Sequence, residues 1–264
     1  MLGWLSRADR ALGRLDGATE TLPNPDLFVF MYVRKEAVLS SQIEGTQASL
    51  LDVLEVEARL KTENPFDVEE VINYVAAMNH GLARLATLPV SLRLMREVHE
   101  RLLTGVRGSQ RNPGELRRVQ NHIGPPGCAL ERASFVPPPP DRLLETLSEL
   151  ERYIHEGNGL PVLIRVGLIH AQFETIHPFL DGNGRIGRLL ITLLLCEQKV
   201  LQRPLLYLSY YFKRNRTEYY DRLQRVRDRG DWEGWLLFFL RGVLEVAQEA
   251  TETARLIVRM REEH

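Results

Sequence analysis

The chain has 264 residues, 44% of them apolar and 26% charged, with a formal net charge of −1. That length holds a sizeable core, and the near-neutral balance excludes capture of nucleic acid or an anionic membrane by overall charge. No apolar run approaches the roughly 20 residues of a membrane span, and Met1 to Leu15 is amphipathic rather than the continuous apolar segment of a signal peptide.

Two cysteines, Cys128 and Cys196, lie far apart in different contexts, which predicts a reduced, cytoplasmic chain without a structural disulfide. The N-terminal amphipathic piece ends in Leu22 to Pro25, a turn and helix-entry signal. Leu27, Phe30, Met31, Val38 and Ile43 then follow helical spacing to about Glu44, where Gly45 suits a helix end. Ser49 with Asp52 has the form of a capping box for a helix from Leu50 to Leu60.

Asn64-Pro65 marks a break. Helical periodicity resumes from Val68 to Leu82 and again from Ser91 to Leu103. Residues 104–139 are too rich in glycine and proline for a long helix. Leu116 to Ile123 and Leu130 to Val136, on either side of a Gly-Pro-Pro-Gly turn, predict a loose β-hairpin. Asp141 reads as the cap of a helix to about His155, and Pro161 as the first position of an apolar helix to Ile176. A helix from Asn183 to about Gln198 follows, then an irregular stretch over 200–214. Two final helical patterns cover Thr217 to Val226 and Asp231 to the end. The expected fold is all-α with one hairpin, residues 1–60 forming an N-terminal helical region beside a unit spanning 61–264.

The chemistry concentrates in His177-Pro-Phe-Leu-Asp-Gly-Asn-Gly-Arg-Ile-Gly-Arg188. Gly182 and Gly184 permit a loop whose amides turn inward, and Asn183 to Arg185 open a helix whose first N–H groups and dipole favour a phosphate. Arg185 and Arg188 are three apart and share a helix face. Asp181 supplies a hard oxygen to a Mg²⁺ carried by phosphates. His177 is placed to take a proton from an attacking hydroxyl. These parts point to phosphoryl or nucleotidyl transfer to a hydroxyl.

The same stretch resembles the signature of the Fic family, H-P-F-x-[DE]-G-N-G-R-x-x-R, at every specified position. The resemblance implies a compact helical bundle with a β-hairpin flap, and transfer of AMP from ATP to a Ser, Thr or Tyr hydroxyl with release of pyrophosphate. It makes His177 the general base, Asp181 the metal ligand, Gly182, Asn183 and Gly184 the anion loop, and Arg185 and Arg188 the phosphate arginines. Some relatives transfer phosphate or phosphocholine instead, or remove AMP. A catalytically quiet nucleotide-sensing module is the rival outside enzymology.

Ser40-Ser-Gln-Ile-Glu44-Gly resembles the inhibitory motif [ST]-x-x-x-E-[GN] of many Fic proteins. Ser40 and Glu44 are one helical turn apart. The resemblance implies that Glu44 pairs with Arg188 where a terminal phosphate oxygen of ATP belongs.

By the same resemblance, residues 116–136 are the flap that holds a target segment by strand addition, and Tyr219 and Tyr220 lie near the adenine. Where some relatives have an adenine-contacting Asn, Arg227-Asp228 stands here. Many relatives form dimers, and many carry a winged-helix domain after the core. Here Ala254 to His264 continue a helical pattern, and nothing supports nucleic-acid binding. His122 and Cys128 read as ordinary loop residues, and no zinc spacing is present. His170 and Glu174 share a helix face and predict a buried hydrogen-bonded pair, while Trp232, Trp235, Phe238 and Phe239 predict a packing cluster.

Overall fold

The computed structural model describes residues 1–264 except 61–64, 125–126, 157–158 and 263–264. Asn64 of the expected break, the boundary after residue 60, Pro125-Pro126 of the expected turn and the chain's last two positions therefore lie outside the described residues.

The long apolar face of α1 (Leu2–Glu20) buries Leu5, Leu12 and Leu15 along α11 (Trp232–Glu262), so the first and last helices pack together. α2 (Pro25–Ile43) starts where Pro25 takes the first helical position and the Asn24 side chain accepts from Leu27 N at 3.0 Å. It ends on Glu44, and Gly45 follows at φ +102°. The capping box of Ser49 and Asp52 opens α3 (Leu50–Glu57). This helix stops short of the expected Leu60, because the chain turns out of it at Arg59 with φ +62°.

α4 (Pro65–Arg84) and α5 (Leu92–Leu103) pair with each other and flank the apolar α8 (Asn183–Glu197) on one side. α6 (Pro140–His155), α10 (Arg216–Arg229) and α11 surround α7 (Val162–Ile176), and α7 packs against α8. The α7–α8 pair is the core, and the loop between them carries residues 177–182. The expected aromatic cluster forms around Trp235, Phe238 and Phe239, while Trp232 makes no ring contact with them: Trp235 is fully buried between α7 and α10, and its indole N–H donates to Gly167 O at 2.8 Å.

Three local readings shift. Asp141 does not cap α6. Pro139 and Pro140, with φ already suited to a helix, make the entry without a side-chain cap. Pro161 lies one position outside α7 rather than first in it. The stretch expected to be irregular contains α9 (Ser209–Arg214). Its first amide and the Ser209 hydroxyl both donate to buried Glu36, at 3.0 and 2.5 Å, so the cap comes from α2.

The hairpin is the largest correction. Among the described residues no strand forms, and residues 116–136 contain one isolated antiparallel bridge, Ile123 with Phe135. Leu130–Arg132 is a 3₁₀ turn instead of strand. The entry to the loop bonds elsewhere: Arg117 N donates to Pro178 O at 3.0 Å, and the Asn121 amide donates to the carbonyls of His177 and Phe179. The buried Arg117 guanidinium reaches His177 O at 3.0 Å and Pro138 O at 2.5 Å. Prolines 137–140 have no N–H with which to extend a ladder.

Candidate active site

His177 ends α7 in a left-handed conformation, φ 50° and ψ 61°, with its N–H on Phe173 O. Arg117 and Asn121 hold its carbonyl, so the backbone under the imidazole is tied from two directions. Burial, then the charge of Arg227, lowers the imidazole pKa to about 4, which leaves it neutral at pH 7.

The loop then closes on itself. Asn183 is buried, and its side chain accepts from Phe179 N at 2.9 Å and donates to Phe179 O at 2.8 Å. The Asn183 amide is thus consumed in shaping the turn, leaving the backbone to face a ligand. Gly182, at φ +74°, is the N-cap of α8. A side chain at Gly184 would sit 2.4 Å from Glu44 Oε1, so only glycine lets that carboxylate approach.

His99 of α5 supports the turn from below, a role without any local sequence signal. Its ring stacks on Phe179 at 3.7 Å between centroids, its Nε2 meets Asp181 O at 3.1 Å, and Gly114 N donates to its Nδ1 at 2.8 Å. Nδ1 accepts, so the proton lies on Nε2 and the ring is neutral. Burial lowers its pKa to about 4.

The arginines divide the work. Arg185 is buried, 3.4 Å from Glu70 and 3.6 Å from Asp181. Arg188 is almost wholly buried; its Nε donates to Ser40 Oγ at 2.9 Å, and its Nη2 donates to Ser40 O at 3.0 Å and Glu44 Oε1 at 2.7 Å. Ser40 and Glu44, read from the sequence as one motif, therefore meet Arg188 together. Burial would raise the Glu44 carboxyl, but Arg188 outweighs it and holds the group below the usual carboxylate range. Burial likewise opposes the charge on Arg188, and Glu44 more than restores it.

A cleft of about 710 Å³ is lined by Glu44, His177, Arg188, Tyr220 and Arg227, with Ile123 and Ser134 of the loop opposite. A smaller hollow of about 160 Å³ lies among Asp181, Gly182, Gly184 and Arg185. Glu44 and His177 line both. The larger volume suits a nucleotide-sized molecule. Tyr219 also lines the cleft but is buried, its ring stacked on Phe212, while Tyr220 is 40% exposed.

Three buried polar atoms at this cleft have no protein partner: Glu174 Oε1, Arg188 Nη1 and Arg227 Nε. Buried polar groups are nearly always paired, so their convergence marks a place built for a polar ligand. Glu174 gave no sequence signal of this kind. Burial raises its carboxyl pKa to about 7. The expected His170–Glu174 hydrogen bond does not form, because His170 spends its nitrogens on Gly187 O at 2.9 Å and the Tyr219 hydroxyl at 3.0 Å.

Asp181 is the residue here that could hold a divalent cation. Its side chain is 41% exposed, and Oδ1 accepts from Gly182 N at 2.6 Å. Among the described residues no three acidic, His or Cys side chains converge as a metal cage. One carboxylate beside an anion loop fits Mg²⁺ arriving with phosphates, which completes its shell mainly with phosphate and water oxygens. His122 and Cys128 meet only through a loop hydrogen bond, His122 Nε2 to Cys128 O at 2.8 Å. No helix among the described residues is long and apolar enough to cross a membrane.

Comparison with known proteins agrees with this geometry. The profile described as Fic/DOC family N-terminal matches residues 2–83, and that described as Fic/DOC family matches residues 89–195. The chain is 30% identical over 203 residues to "Protein adenylyltransferase Fic" of Culex quinquefasciatus, covering 74% of this chain and 37% of that protein. It is 31% identical over 159 residues to the protein of the same name from Drosophila grimshawi, covering 58% and 31%. The chain thus spans about a third of the length of these curated relatives. Among solved structures, a Fic family protein from Desulfovibrio desulfuricans G20 superposes with a TM-score of 0.79 at 22% identity, over 96% of this chain and 74% of that one. A Fic domain containing signaling protein from Bacteroides thetaiotaomicron VPI-5482 gives 0.74 at 16% identity, over 96% and 97%.

Proposed function

Because this chain belongs to the Fic/DOC family, we propose that it is a protein adenylyltransferase that moves AMP from ATP to a Ser, Thr or Tyr hydroxyl of a target protein. The target oxygen bonds to the α-phosphorus, the bond from that phosphorus to the pyrophosphate oxygen breaks, and the hydroxyl proton passes to His177. The observation that carries this reading is a half-buried imidazole, its pKa lowered to about 4, beside a glycine loop and an arginine whose Nη1 has no protein partner. An imidazole already deprotonated can accept a proton at neutral pH.

The loop amides, the N-terminus of α8, Arg185 and Arg188 hold the phosphates. Asp181 would hold a Mg²⁺ that neutralises phosphate charge when the nucleotide binds. Tyr220 and the cleft wall above Arg188 receive the nucleoside, and residues 116–136 present the target segment. Glu44 keeps the enzyme quiet: its carboxylate already satisfies Arg188 Nη2, so a terminal phosphate oxygen of ATP must displace it.

Intact-mass analysis of the Glu44→Gly chain after incubation with ATP and Mg²⁺ tests the reading. A gain of one AMP unit, absent from Glu44→Gly/His177→Ala, is the expected result. A gain of a phosphate, or no gain with an added protein mixture, overturns it.

A further inference from the structure

Another buried carboxylate, outside the 177–188 stretch and outside the Ser40–Glu44 motif, stands behind the phosphate loop. Glu70, in the first half of α4, is 2% exposed. Thr46 Oγ1 donates to its Oε2 at 3.1 Å, Arg107 approaches its Oε1 at 3.0 Å, and Arg185 Nη1 lies 3.4 Å from its Oε2. We propose that Glu70 is a positioning residue of the phosphate site, keeping Arg185 aimed at the loop and Asp181 free for a cation. This rests on the reading of residues 177–188 as an ATP site.

The argument is one of charge compensation. A guanidinium cannot shed its proton in a protein, and a buried one requires a counter-charge. Among the described residues, two carboxylates lie within ion-pair distance of Arg185: Glu70 and Asp181. Asp181 sits one helical turn away and is 41% exposed, which is why it suits a cation. Without Glu70, Arg185 would be left with Asp181 alone and would draw the same carboxylate that the cation needs.

The contact geometry fits positioning rather than capture. At 3.4 and 3.6 Å, Arg185 is held by charge without close hydrogen bonds, and its Nε has no protein partner. Its donors therefore stay available to phosphate oxygens. Glu70 by contrast is well occupied, with a hydroxyl and two guanidiniums around it. Thr46 follows Glu44 by two residues, so the same carboxylate also anchors the turn that carries Glu44.

The test measures equilibrium binding of ATP with Mg²⁺, and of adenosine, to the Glu44→Gly/His177→Ala chain, where turnover is absent. Adding Glu70→Gln is expected to weaken ATP binding about tenfold, the effect of a misaligned charge-assisted contact, while adenosine affinity stays unchanged. In an Arg185→Met background the Glu70→Gln effect disappears. Equal loss for ATP and adenosine, no loss for ATP, or full additivity with Arg185→Met overturns the proposal. Should the Gln variant fail to fold, Glu70→Asp retains the charge but withdraws it from Arg185, and a selective ATP loss of about threefold is expected by the same reasoning. Failure of the parent chain to bind ATP overturns the functional reading and this one together. Binding by the parent with no selective effect overturns this one alone.

Discussion

Glu44 Oε1 lies 2.7 Å from Arg188 Nη2 although the two residues are 144 positions apart in the chain. Ser40, one turn earlier on α2, takes the remaining bonds of the same guanidinium that reach the helix. A charged hydrogen bond of this kind is worth roughly 1.5–3 kcal/mol. Glu44→Gly should therefore raise the rate of ATP-dependent modification by about tenfold or more. Labelled-ATP incorporation measures it, and an unchanged rate would remove the inhibitory role.

His177 makes a pH prediction. Its pKa is lowered to about 4 by burial and then by Arg227, so the base stays neutral well below the ordinary histidine range. In the Glu44→Gly chain, which lacks the one carboxylate charge that raises this pKa, kcat/KM should show no loss from this group between about pH 7 and pH 5, with its acid limb at or below about pH 4. A limb near 6.5 would mean that the imidazole titrates as an exposed histidine.

Glu36 links pH to stability in the opposite sense from most carboxylates. Burial raises its pKa to about 7, against the opposing bonds from Ser209. A raised folded-state pKa means that its contribution is full below about 4.5 and is lost as pH climbs to about 7, at about 1.4 kcal/mol per unit. Glu36→Gln abolishes that loss. Urea unfolding at pH 4.5 and pH 8 should show the variant gaining on the parent at the higher pH, and an equal difference at both would refute the linkage.

Arg117 does for the loop what a strand ladder was expected to do. Its guanidinium binds the carbonyls of His177 and Pro138, joining both ends of the loop to the base of the site. Arg117→Met should increase limited proteolysis within residues 118–136 and cost about 2–3 kcal/mol of stability. Target modification should fall more than ATP binding does. A loop equally resistant in both chains would show that the bridge of Ile123 and Phe135 suffices alone.

The helices were legible because α4, α5, α7 and α8 repeat apolar residues at helical spacing, and the candidate site because residues 177–188 bring an imidazole, a carboxylate and two arginines into one short segment. The rest depends on partners that sequence spacing cannot show. α9 forms because Glu36 caps it from 173 positions away. His99 becomes part of the site only by stacking on Phe179. The hairpin reading failed because Arg117 and Asn121 bond the 177–179 backbone, an attraction invisible in the alternation of residues 116–136. Asn183 was legible as part of the loop, but not that its side chain would bond Phe179 and leave its backbone to the loop.

His177 occupies a left-handed turn at a helix end, φ 50°, where glycine or asparagine would sit with less strain. A bulky ring there costs about 1 kcal/mol or more. Substitution by glycine would relax the backbone while removing the imidazole, so His177→Gly should fold at least as readily as His177→Ala. The turn holds a side chain that its own conformation does not favour, so under the proposed function the strain at His177 is a cost borne for the imidazole.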